Sequence, residues 1–422
     1  MAKMVFFLDA LDPRECVDWL AETMAGRVIS GVPRVTPPVV GSFLTGKPPG
    51  RHGLVRPTPL YKPFMQRPKG DTILDLVAKR GRVLSYVIPF TLGVNPPNTI
   101  MAAAGLADEA EIPIPALVMP QVNFDPPSVD PEQMLNSYID HVRNVFATIR
   151  QLARNDRADV YFVAIREIDA FTHWHYNSGC RQRLIEYIAL ELNETAMEGH
   201  EILWWSDHGG CPKTGKFEIN RWLIKKGLLN VTYLQKRHMK QLEMMKAQNP
   251  NLHLYKDQVG IHTPFVQVED DSKFISVDLF DACVDVLNAT EDEIEQLCKD
   301  LMATGHFKAV YRKHELYGED CDPDIPEIIP DRKEGLLVSC NVHPRAEEPD
   351  AESIVNLRDG DHAPYGCYGG TYEFNSKDIY PWELYSIVDE MTQDLKPKED
   401  SPTLTKSEEQ EILRQLEKMG YA

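Results

Sequence analysis

An acidic residue and a histidine follow an apolar run in the segment EILWWSDHGG, residues 201–210. Asp207 and His208 could bind a metal ion or transfer a proton, because carboxylates and imidazoles serve both purposes. Asp207 could equally cap the following turn, and His208 could be an ordinary surface residue. The two residues alone therefore leave both interpretations open.

Acidic residues also follow two other apolar runs. Asp9 comes after MVFFL and Asp169 comes after VYFVAIREI, just as Asp207 comes after EILWWS. In an open sheet of parallel strands, ligands bind beyond the carboxyl ends of the strands. One acid at such a position means little, but three predict a shared cation.

Histidines extend this set of candidate ligands. His173 lies four residues after Asp169, so the two side chains would share one face if a helical turn follows the strand. His362 lies between an acidic turn and a glycine-rich segment in RDGDHAPYGCYGG. The full set has both carboxylate and imidazole donors, a mixture that suits Zn²⁺ or Mn²⁺ better than Ca²⁺ or Mg²⁺.

A candidate nucleophile lies in GVPRVTPPVVGSFLTGKPPGRHG, residues 31–53. Proline is favourable at the first position of a helix, so Thr36, which precedes Pro37, is predicted to be the N-cap residue. A hydroxyl there faces free backbone N–H groups and the positive end of the helix dipole, which together attract anions. A bound cation could lower its pKa enough for attack on phosphorus. The alternative is an ordinary capping threonine.

Apolar strands alternate with amphipathic helices around these residues. Near-continuous apolar runs, typical of strands buried on both faces of a parallel sheet, span residues 4–10, 82–90, 159–169 and 201–207. Apolar residues at three- and four-residue spacing predict helices at 131–156 and 181–199. This alternation predicts an α/β sheet with helices on both faces.

Two other segments depart from the pattern. Residues 231–345 include a loosely patterned stretch rich in proline and acidic residues, and we predict that they form an inserted cap or lid. The core would then consist of residues 1–230 and 346–395. Residues 396–422 are predicted to hold one amphipathic C-terminal helix.

Charge and composition narrow the class of partner. The 422 residues carry a formal net charge of −19, which disfavours a long nucleic acid or an anionic membrane surface as the partner. The eight cysteines include no CxxC pair, so neither a thiolate zinc site nor a disulfide framework is indicated. The sequence has no apolar run of transmembrane length and begins without a signal-peptide pattern, so we expect a cytoplasmic protein.

The motifs resemble those of the type I phosphodiesterase/nucleotide pyrophosphatase family of the alkaline phosphatase superfamily. VFFLDA is similar to the first metal-binding strand of that family, VTPPVVGSFLTGKPPGRHGL to its nucleophile segment and IREIDAFTHWH to its Asp-x-x-x-His motif. WWSDHGG is similar to its Ser-Asp-His-Gly motif and GDHAPYG to its last histidine element. These elements occur in the order of the family, and the chain looks most like its cytoplasmic bacterial and archaeal members.

The resemblance implies a three-layer αβα sandwich of the alkaline phosphatase type and two divalent cations, Zn²⁺ or alternatively Mn²⁺. The ligand sets that it implies are Asp169, His173 and His362 for one cation and Asp9, Thr36, Asp207 and His208 for the other. His52 and His175 stay outside these sets. In the implied reaction Thr36 attacks the phosphorus of a small phosphodiester or pyrophosphate, and water then hydrolyses a phosphothreonine intermediate.

The sequence departs from the family soon after the HG step of the nucleophile segment. Family members have a phosphate-binding asparagine there, whereas this chain has Arg56. Arg56 could clamp a phosphoryl oxygen or be a solvated loop residue, so nucleotide specificity is left open. The alternatives are a phosphomonoesterase, phosphonate hydrolase or phosphomutase of the same superfamily, or a binding protein that keeps the metal site for structure. The sequence does not predict the oligomeric state.

Overall fold

The computed structural model describes residues 1–55, 68–91, 96, 98–102, 130–234, 254–255, 265–276, 283–340, 358–375 and 377–395. Arg56 and the helix predicted at 396–422 lie outside these residues. The chain divides into two compact units. The first unit comprises Met1–Pro212, Cys321–Pro323 and Asp359–Ala422, and the second comprises Lys213–Asp320 and Asp324–Arg358.

The described residues contain eighteen strands and eleven α-helices. In chain order the strands are β1 (Lys3–Leu8), β2 (Met24–Ile29), β3 (Val83–Tyr86), β4 (Thr99–Ala102), β5 (Val160–Ile165), β6 (Glu201–Trp205), β7 (Gly209–Pro212), β8 (Gly215–Glu218), β9 (Val231–Leu234), β10 (Leu254–Tyr255), β11 (Phe265–Val268), β12 (Phe274–Ile275), β13 (Asp285–Val286), β14 (Phe307–Arg312), β15 (Ile328–Arg332), β16 (Leu336–Ser339), β17 (Gly360–Ala363) and β18 (Tyr365–Gly370). The α-helices are α1 (Asp18–Thr23), α2 (Thr36–Thr45), α3 (Pro49–His52), α4 (Ile73–Ala78), α5 (Pro131–Arg154), α6 (Glu167–Trp174), α7 (Cys180–Met197), α8 (Ile219–Lys225), α9 (Glu291–Ala303), α10 (Lys313–Tyr317) and α11 (Pro381–Met391).

A mixed sheet organises the first unit. Its described strands lie in the order β2-β18-β6-β1-β5-β3-β4. β1 is parallel to both of its neighbours, β5 and β6, and β3 is parallel to β5 and β4. The four apolar runs predicted as strands contain β1, β3, β5 and β6, which belong to one parallel block, but the runs predicted at 82–90 and 159–169 extend beyond the ends of β3 at Tyr86 and β5 at Ile165.

Helices cover both faces of this sheet. Along β1, Met4, Phe6 and Leu8 pack into an apolar cluster with α5 and α7, and Val5 and Phe7 pack into a second cluster with α2, α4 and α11. Successive side chains of a strand point to opposite faces, so the two clusters lie on the two sides of the sheet. Each phenylalanine is fully buried, which contributes about 1.5–3 kcal/mol of folding free energy per side chain. This is the predicted three-layer αβα arrangement, and α5 and α7 are the predicted helices.

The glycine-rich segment after His362 forms a strand that the sequence did not predict. It is β18, which lies antiparallel to β2 and β6 and makes the sheet mixed rather than wholly parallel. A Cβ atom at Gly366 would lie 2.1 Å from the carbonyl oxygen of Ser206, so the close approach of these two chain segments requires glycine. A run rich in glycine resembles a turn in sequence, and for that reason the strand was missed.

The second unit is built from small sheets. β8 is parallel to β16, β14 is antiparallel to β15, and β9, β11 and β10 form an antiparallel sheet. The buried amide of Asn220 connects its segments, because it donates to the carbonyls of Ser276 and Cys340. The insertion predicted at 231–345 lies in this unit apart from Cys321–Pro323. Its role as a cap stays a prediction.

Candidate metal centre

The carboxyl ends of β1 and β6 bring together the first group of candidate ligands. Asp9 follows β1, and Asp207 and His208 follow β6, the parallel neighbour of β1. His208 Nε2 lies 3.3 Å from Asp207 Oδ2 and 3.7 Å from Asp9 Oδ1. All three side chains are buried. The adjacency predicted from the strand ends is thus present in the structure.

The strand predicted at 159–169 is too long, and Asp169 does not lie at the end of a strand. β5 ends at Ile165, and Asp169 lies in the first turn of α6. A short apolar run cannot by itself distinguish a strand from the start of a buried helix, and Ile168 is a buried helical residue. The helical spacing places His173 Nε2 3.3 Å from Asp169 Oδ1, as the four-residue separation predicted.

His362 joins these residues through the pairing of two short strands. β17 is antiparallel to β7, with His362 opposite Gly210, two residues after His208. His362 Nε2 lies 3.1 Å from His173 Nε2 and 3.6 Å from Asp169 Oδ1. Its ring also stacks on that of His208 at 3.8 Å between centroids. The two groups of candidate ligands therefore form one continuous cluster.

Thr36 lies beside this cluster but is not the N-cap residue. The helix α2 begins at Thr36 itself, and the preceding Val35 is in an extended conformation without a side-chain capping bond. Thr36 Oγ1 lies 3.5 Å from His208 Nε2, and the side chain is only partly buried. The hydroxyl still lies at the positive end of the α2 dipole, although Pro37 and Pro38 contribute no N–H groups there.

The donor atoms fit a divalent cation. Among the carboxylates of the two candidate ligand sets, Asp9 Oδ1, Asp169 Oδ1 and Asp207 Oδ2 are buried and accept no hydrogen bond. Each of them faces an imidazole Nε2 atom. A buried carboxylate without donors costs several kcal/mol unless a cation compensates its charge.

Two histidines are oriented by the main chain. His208 Nδ1 lies 3.1 Å from the carbonyl oxygen of Gly209, and His362 Nδ1 lies 2.9 Å from that of Arg34. A neutral imidazole that donates its Nδ1 proton to a carbonyl leaves Nε2 with a free lone pair. Both Nε2 atoms point into the carboxylate cluster, as metal ligands require.

The negative charge of Asp9 is compensated less well by its neighbours than that of Asp169. Burial raises the pKa of Asp9 well above its ordinary value of 3.8, and the charges of Asp207 and Asp169 raise it further. Burial lowers the pKa of His208 and so favours the neutral ring. Burial alone would raise the pKa of Asp169, but the positive charges of His173 and His362, when these rings are protonated, hold it well below its ordinary range. The Asp9 side of the cluster would therefore gain most from a bound cation.

The structure adds two residues that the sequence did not single out. Asp361 is buried, and its carboxylate lies within 4.8 Å of ligand atoms of His173 and His362. The Nε atom of Arg166 lies 3.5 Å from Asp9 Oδ2, and 22% of the Arg166 side chain is exposed. Asp361 lies in the motif GDHAPYG, and Arg166 lies in the motif IREIDAFTHWH. An acid next to a histidine could have indicated Asp361, whereas no local pattern indicated Arg166.

His52 and His175 belong to none of the possible metal-ligand groups found among the described residues. The backbone N–H of Leu54 donates to His52 Nδ1, and His52 Nε2 lies 3.0 Å from Ser42 Oγ. Burial lowers the pKa of His52 from 6.5 to about 3. His175 follows the last residue of α6, with its ring 6.3 Å from that of Phe171.

Comparison with known families identifies the chain. It matches the family described as type I phosphodiesterase / nucleotide pyrophosphatase over residues 18–353 and belongs to that family. The matched range includes Thr36, Asp169 and Asp207, whereas Asp9 and His362 lie outside it. The fold brings both of these residues to the same cluster.

Solved structures share the fold. Phosphonoacetate hydrolase from Sinorhizobium meliloti 1021, in complex with phosphonoformate, has a TM-score of 0.61 at 15% identity, with 93% of this chain and 96% of that chain covered. Human ectonucleotide pyrophosphatase/phosphodiesterase 5 has a TM-score of 0.53 at 10% identity, with 96% and 98% covered. At such low identity, the structural match shows a common alkaline phosphatase-like fold and nothing further.

Two other findings bear on the chain. The search of curated proteins returned no match. Among the described residues, no helix combines the length and the apolar character needed to cross a membrane.

Replacement of Asp207 by asparagine should lower the free energy of unfolding only when metal is present. In wild type a cation at about 100 times its dissociation constant adds about 2.7 kcal/mol to the free energy of unfolding. Asp207→Asn should lose most of this gain, but in chelator it should be as stable as wild type or more stable, because a buried negative charge is removed. Thermal unfolding with EDTA, Zn²⁺ or Mn²⁺ measures both effects.

A matched control is Asp75→Asn. Asp75 closes the capping box of α4, so this variant should lose about 1 kcal/mol with or without metal and keep the metal-induced gain. Equal destabilisation by Asp207→Asn in both conditions would show that Asp207 only accepts the turn hydrogen bonds from the N–H groups of Ala10 and His208.

Proposed function

We propose that this member of the type I phosphodiesterase/nucleotide pyrophosphatase family is a two-metal hydrolase that cleaves a phosphodiester or pyrophosphate bond of a small substrate, with Thr36 as the nucleophile. One observation carries the proposal. The hydroxyl of Thr36, in the first turn of α2, lies 3.5 Å from His208 Nε2 at the edge of a buried carboxylate and imidazole cluster. The shared family and fold support a phosphoesterase.

The residues fall into two ligand sets. Asp169, His173 and His362 would hold one cation, and Asp9, Thr36, Asp207 and His208 would hold the other. Divalent cations such as Zn²⁺ or Mn²⁺, when bound there, stabilise the negative charge that develops on the oxygens of the reaction. The mutual distances of 3.1–3.6 Å among the ligand atoms of Asp169, His173 and His362 support the first set.

Residues of the chain itself would supply the nucleophile and orient the phosphoryl group. Thr36 Oγ1 releases its proton to solvent and attacks phosphorus, the bond to the leaving oxygen breaks while that oxygen takes up a proton from solvent, and a phosphothreonine forms. Water hydrolyses this ester in the second step. Pro37 and Pro38 have no N–H group, so the backbone N–H of Thr36 itself is the first-turn donor that is suited to bind a phosphoryl oxygen.

Substitution of Thr36 separates a nucleophile from a structural residue. Thr36→Ala should keep the fold and lose nearly all turnover, because no hydroxyl remains to attack. Thr36→Ser should retain part of the activity. Mass spectrometry of wild type that has been acid-quenched during turnover should find phosphate on the peptide that contains Thr36. Phosphate on Ser42 or Thr45 instead would assign the nucleophile to that residue.

The preferred substrate class depends on how many non-bridging phosphoryl oxygens the protein has to bind. A phosphomonoester dianion has three non-bridging oxygens, whereas a diester monoanion has two and carries a second organic group. The guanidinium of Arg166 lies next to the cluster, but its Nε faces Asp9 and is therefore not available to a third phosphoryl oxygen. We therefore expect bis(p-nitrophenyl) phosphate or the p-nitrophenyl ester of thymidine monophosphate to have a higher kcat/KM than p-nitrophenyl phosphate in metal-saturated enzyme. If p-nitrophenyl phosphate had the higher kcat/KM, the enzyme would be assigned as a phosphomonoesterase instead.

Arg166 favours a second candidate function, the hydrolysis of a phosphonate or phosphate with an additional negative charge. The partly exposed guanidinium could bind that charge at the rim of the site. Phosphonoacetate, which is a ligand of one of the structural relatives, belongs in the same substrate panel. If this candidate is right, Arg166→Gln should lower kcat/KM for phosphonoacetate more than for the diesters. Arg27→Gln, which removes a surface ion pair with Asp378, is the control.

A further inference from the structure

Arg181 is a buried cation that lies outside both proposed ligand sets. It is on α7, and only 3% of the residue is exposed. Its guanidinium donates from Nη2 to the carbonyl oxygen of Ala10 at 2.7 Å and from Nε to Thr172 Oγ1 at 2.9 Å. Ala10 directly follows Asp9, and Thr172 directly precedes His173. We propose that Arg181 positions the two halves of the metal centre relative to each other, an inference that rests on the two-metal site of the proposed function.

The contact with Ala10 reaches the Asp9 and Asp207 half of the centre. Ala10 has a φ of +67°, a conformation that is uncommon for a residue other than glycine. Its carbonyl accepts from Arg181, and its N–H lies 3.4 Å from Asp207 Oδ1. Hydrogen bonds through both its carbonyl and its N–H thus fix the backbone of Ala10. Since Asp9 is its neighbour in the chain, the direction of the Asp9 carboxylate depends on this turn.

The contact with Thr172 reaches the His173 and His362 half. Thr172 Oγ1 accepts from Arg181 and donates to the carbonyl of Ile168 one turn earlier, which fixes its rotamer within α6. The carbonyl of Thr172 lies against β17, because a Cβ atom at Gly360 would lie 2.0 Å from this oxygen. β17 carries His362. A shift of Thr172 would therefore displace ligands from two elements at once.

The charge of Arg181 is compensated without a metal. Nη1 pairs with Glu15, and the guanidinium lies 5.4 Å from the centroid of the Tyr176 ring. A Cβ atom at Gly210 would lie 2.9 Å from Arg181 Nη2, so the guanidinium also fills the space beside the chain that follows His208. A paired and hydrogen-bonded buried cation can persist in the metal-free protein. The spacing of the two halves is then set before any cation binds.

A partly buried arginine that also contacts α7 provides the control. Arg150 on α5 is 12% exposed and pairs with Glu191 on α7 at 2.8 Å, so it also buries a guanidinium against α7. Its contacts are with Glu191, Thr195, Glu194 and Glu198, none of which adjoins a candidate ligand. Loss of Arg150 should reduce stability without disturbing the ligand cluster. Loss of Arg181 should reduce stability and also disturb the ligand cluster.

Mn²⁺ binding and its electron paramagnetic resonance spectrum test the proposal without any substrate. Wild type should bind two Mn²⁺ ions with exchange coupling, as expected for ions roughly 3.5–4 Å apart. Arg181→Met should weaken the binding of at least one ion by about 10–100-fold, the range found when groups that orient ligands are removed, and should lose or alter the coupling. Arg150→Met should bind both ions as wild type does. Arg181→Met with wild-type affinity and spectrum would overturn the proposal.

A second variant keeps the test decisive if Arg181→Met fails to fold. Thr172→Val removes the hydroxyl that accepts from Arg181 Nε but preserves the shape of the side chain. It should weaken Mn²⁺ binding and alter the coupling in the same direction, whereas unchanged binding and coupling would contradict the proposal. The outcome is separable from the proposed function. Failure of wild type to bind two ions would refute the two-metal site, whereas two coupled ions in every variant would refute only the role of Arg181.

Discussion

Buried negative charge is the constraint on which the site depends. The carboxylates of Asp9, Asp169 and Asp207 converge, and each has an oxygen that accepts no hydrogen bond. In a folded protein such oxygens must be protonated or matched by a cation, and the raised pKa of Asp9 indicates that the cluster's own charges do not balance. Neutral imidazoles with Nε2 directed at the same oxygens make a divalent cation the counter-charge that fits the donors. In the proposed function, the reactivity of Thr36 would depend on the same cation.

The rest of the first unit holds these groups in place before a ligand binds. Parallel pairing of β1 with β6 aligns Asp9 with Asp207, and pairing of β17 with β7 brings His362 over His208. Main-chain carbonyls fix the tautomers of two histidines, and Arg181 connects the turn after Asp9 to the helix that carries His173. The converging carboxylates repel each other and so oppose folding. Burial of the two apolar clusters on the faces of the sheet offsets this cost.

Local patterns were sufficient to locate the strands of the parallel block and the long helices α5 and α7, and they singled out most of the acids and histidines that the structure brings together. Near-continuous apolar runs identified β1, β5 and β6, and the acids at or after their ends were visible in the sequence. Patterns failed where tertiary contacts decide the outcome. The glycines of β18 are required by the approach of another chain segment, and Asp169 lies in a helix because the chain turns after Ile165 rather than continuing as a strand. Arg181 could not be found, since its acceptor on Ala10 is 171 residues away in sequence and is a main-chain group.

X-ray diffraction with anomalous scattering from protein crystals grown with Mn²⁺ is the most direct test of the central claim. We predict two anomalous peaks, one among Asp169, His173 and His362 and the other among Asp9, Asp207 and His208, with Thr36 Oγ1 as a ligand of the second ion. Anomalous density elsewhere, or none at this cluster at saturating Mn²⁺, would contradict the account. In that case the buried carboxylates would have to be stabilised by protonation instead.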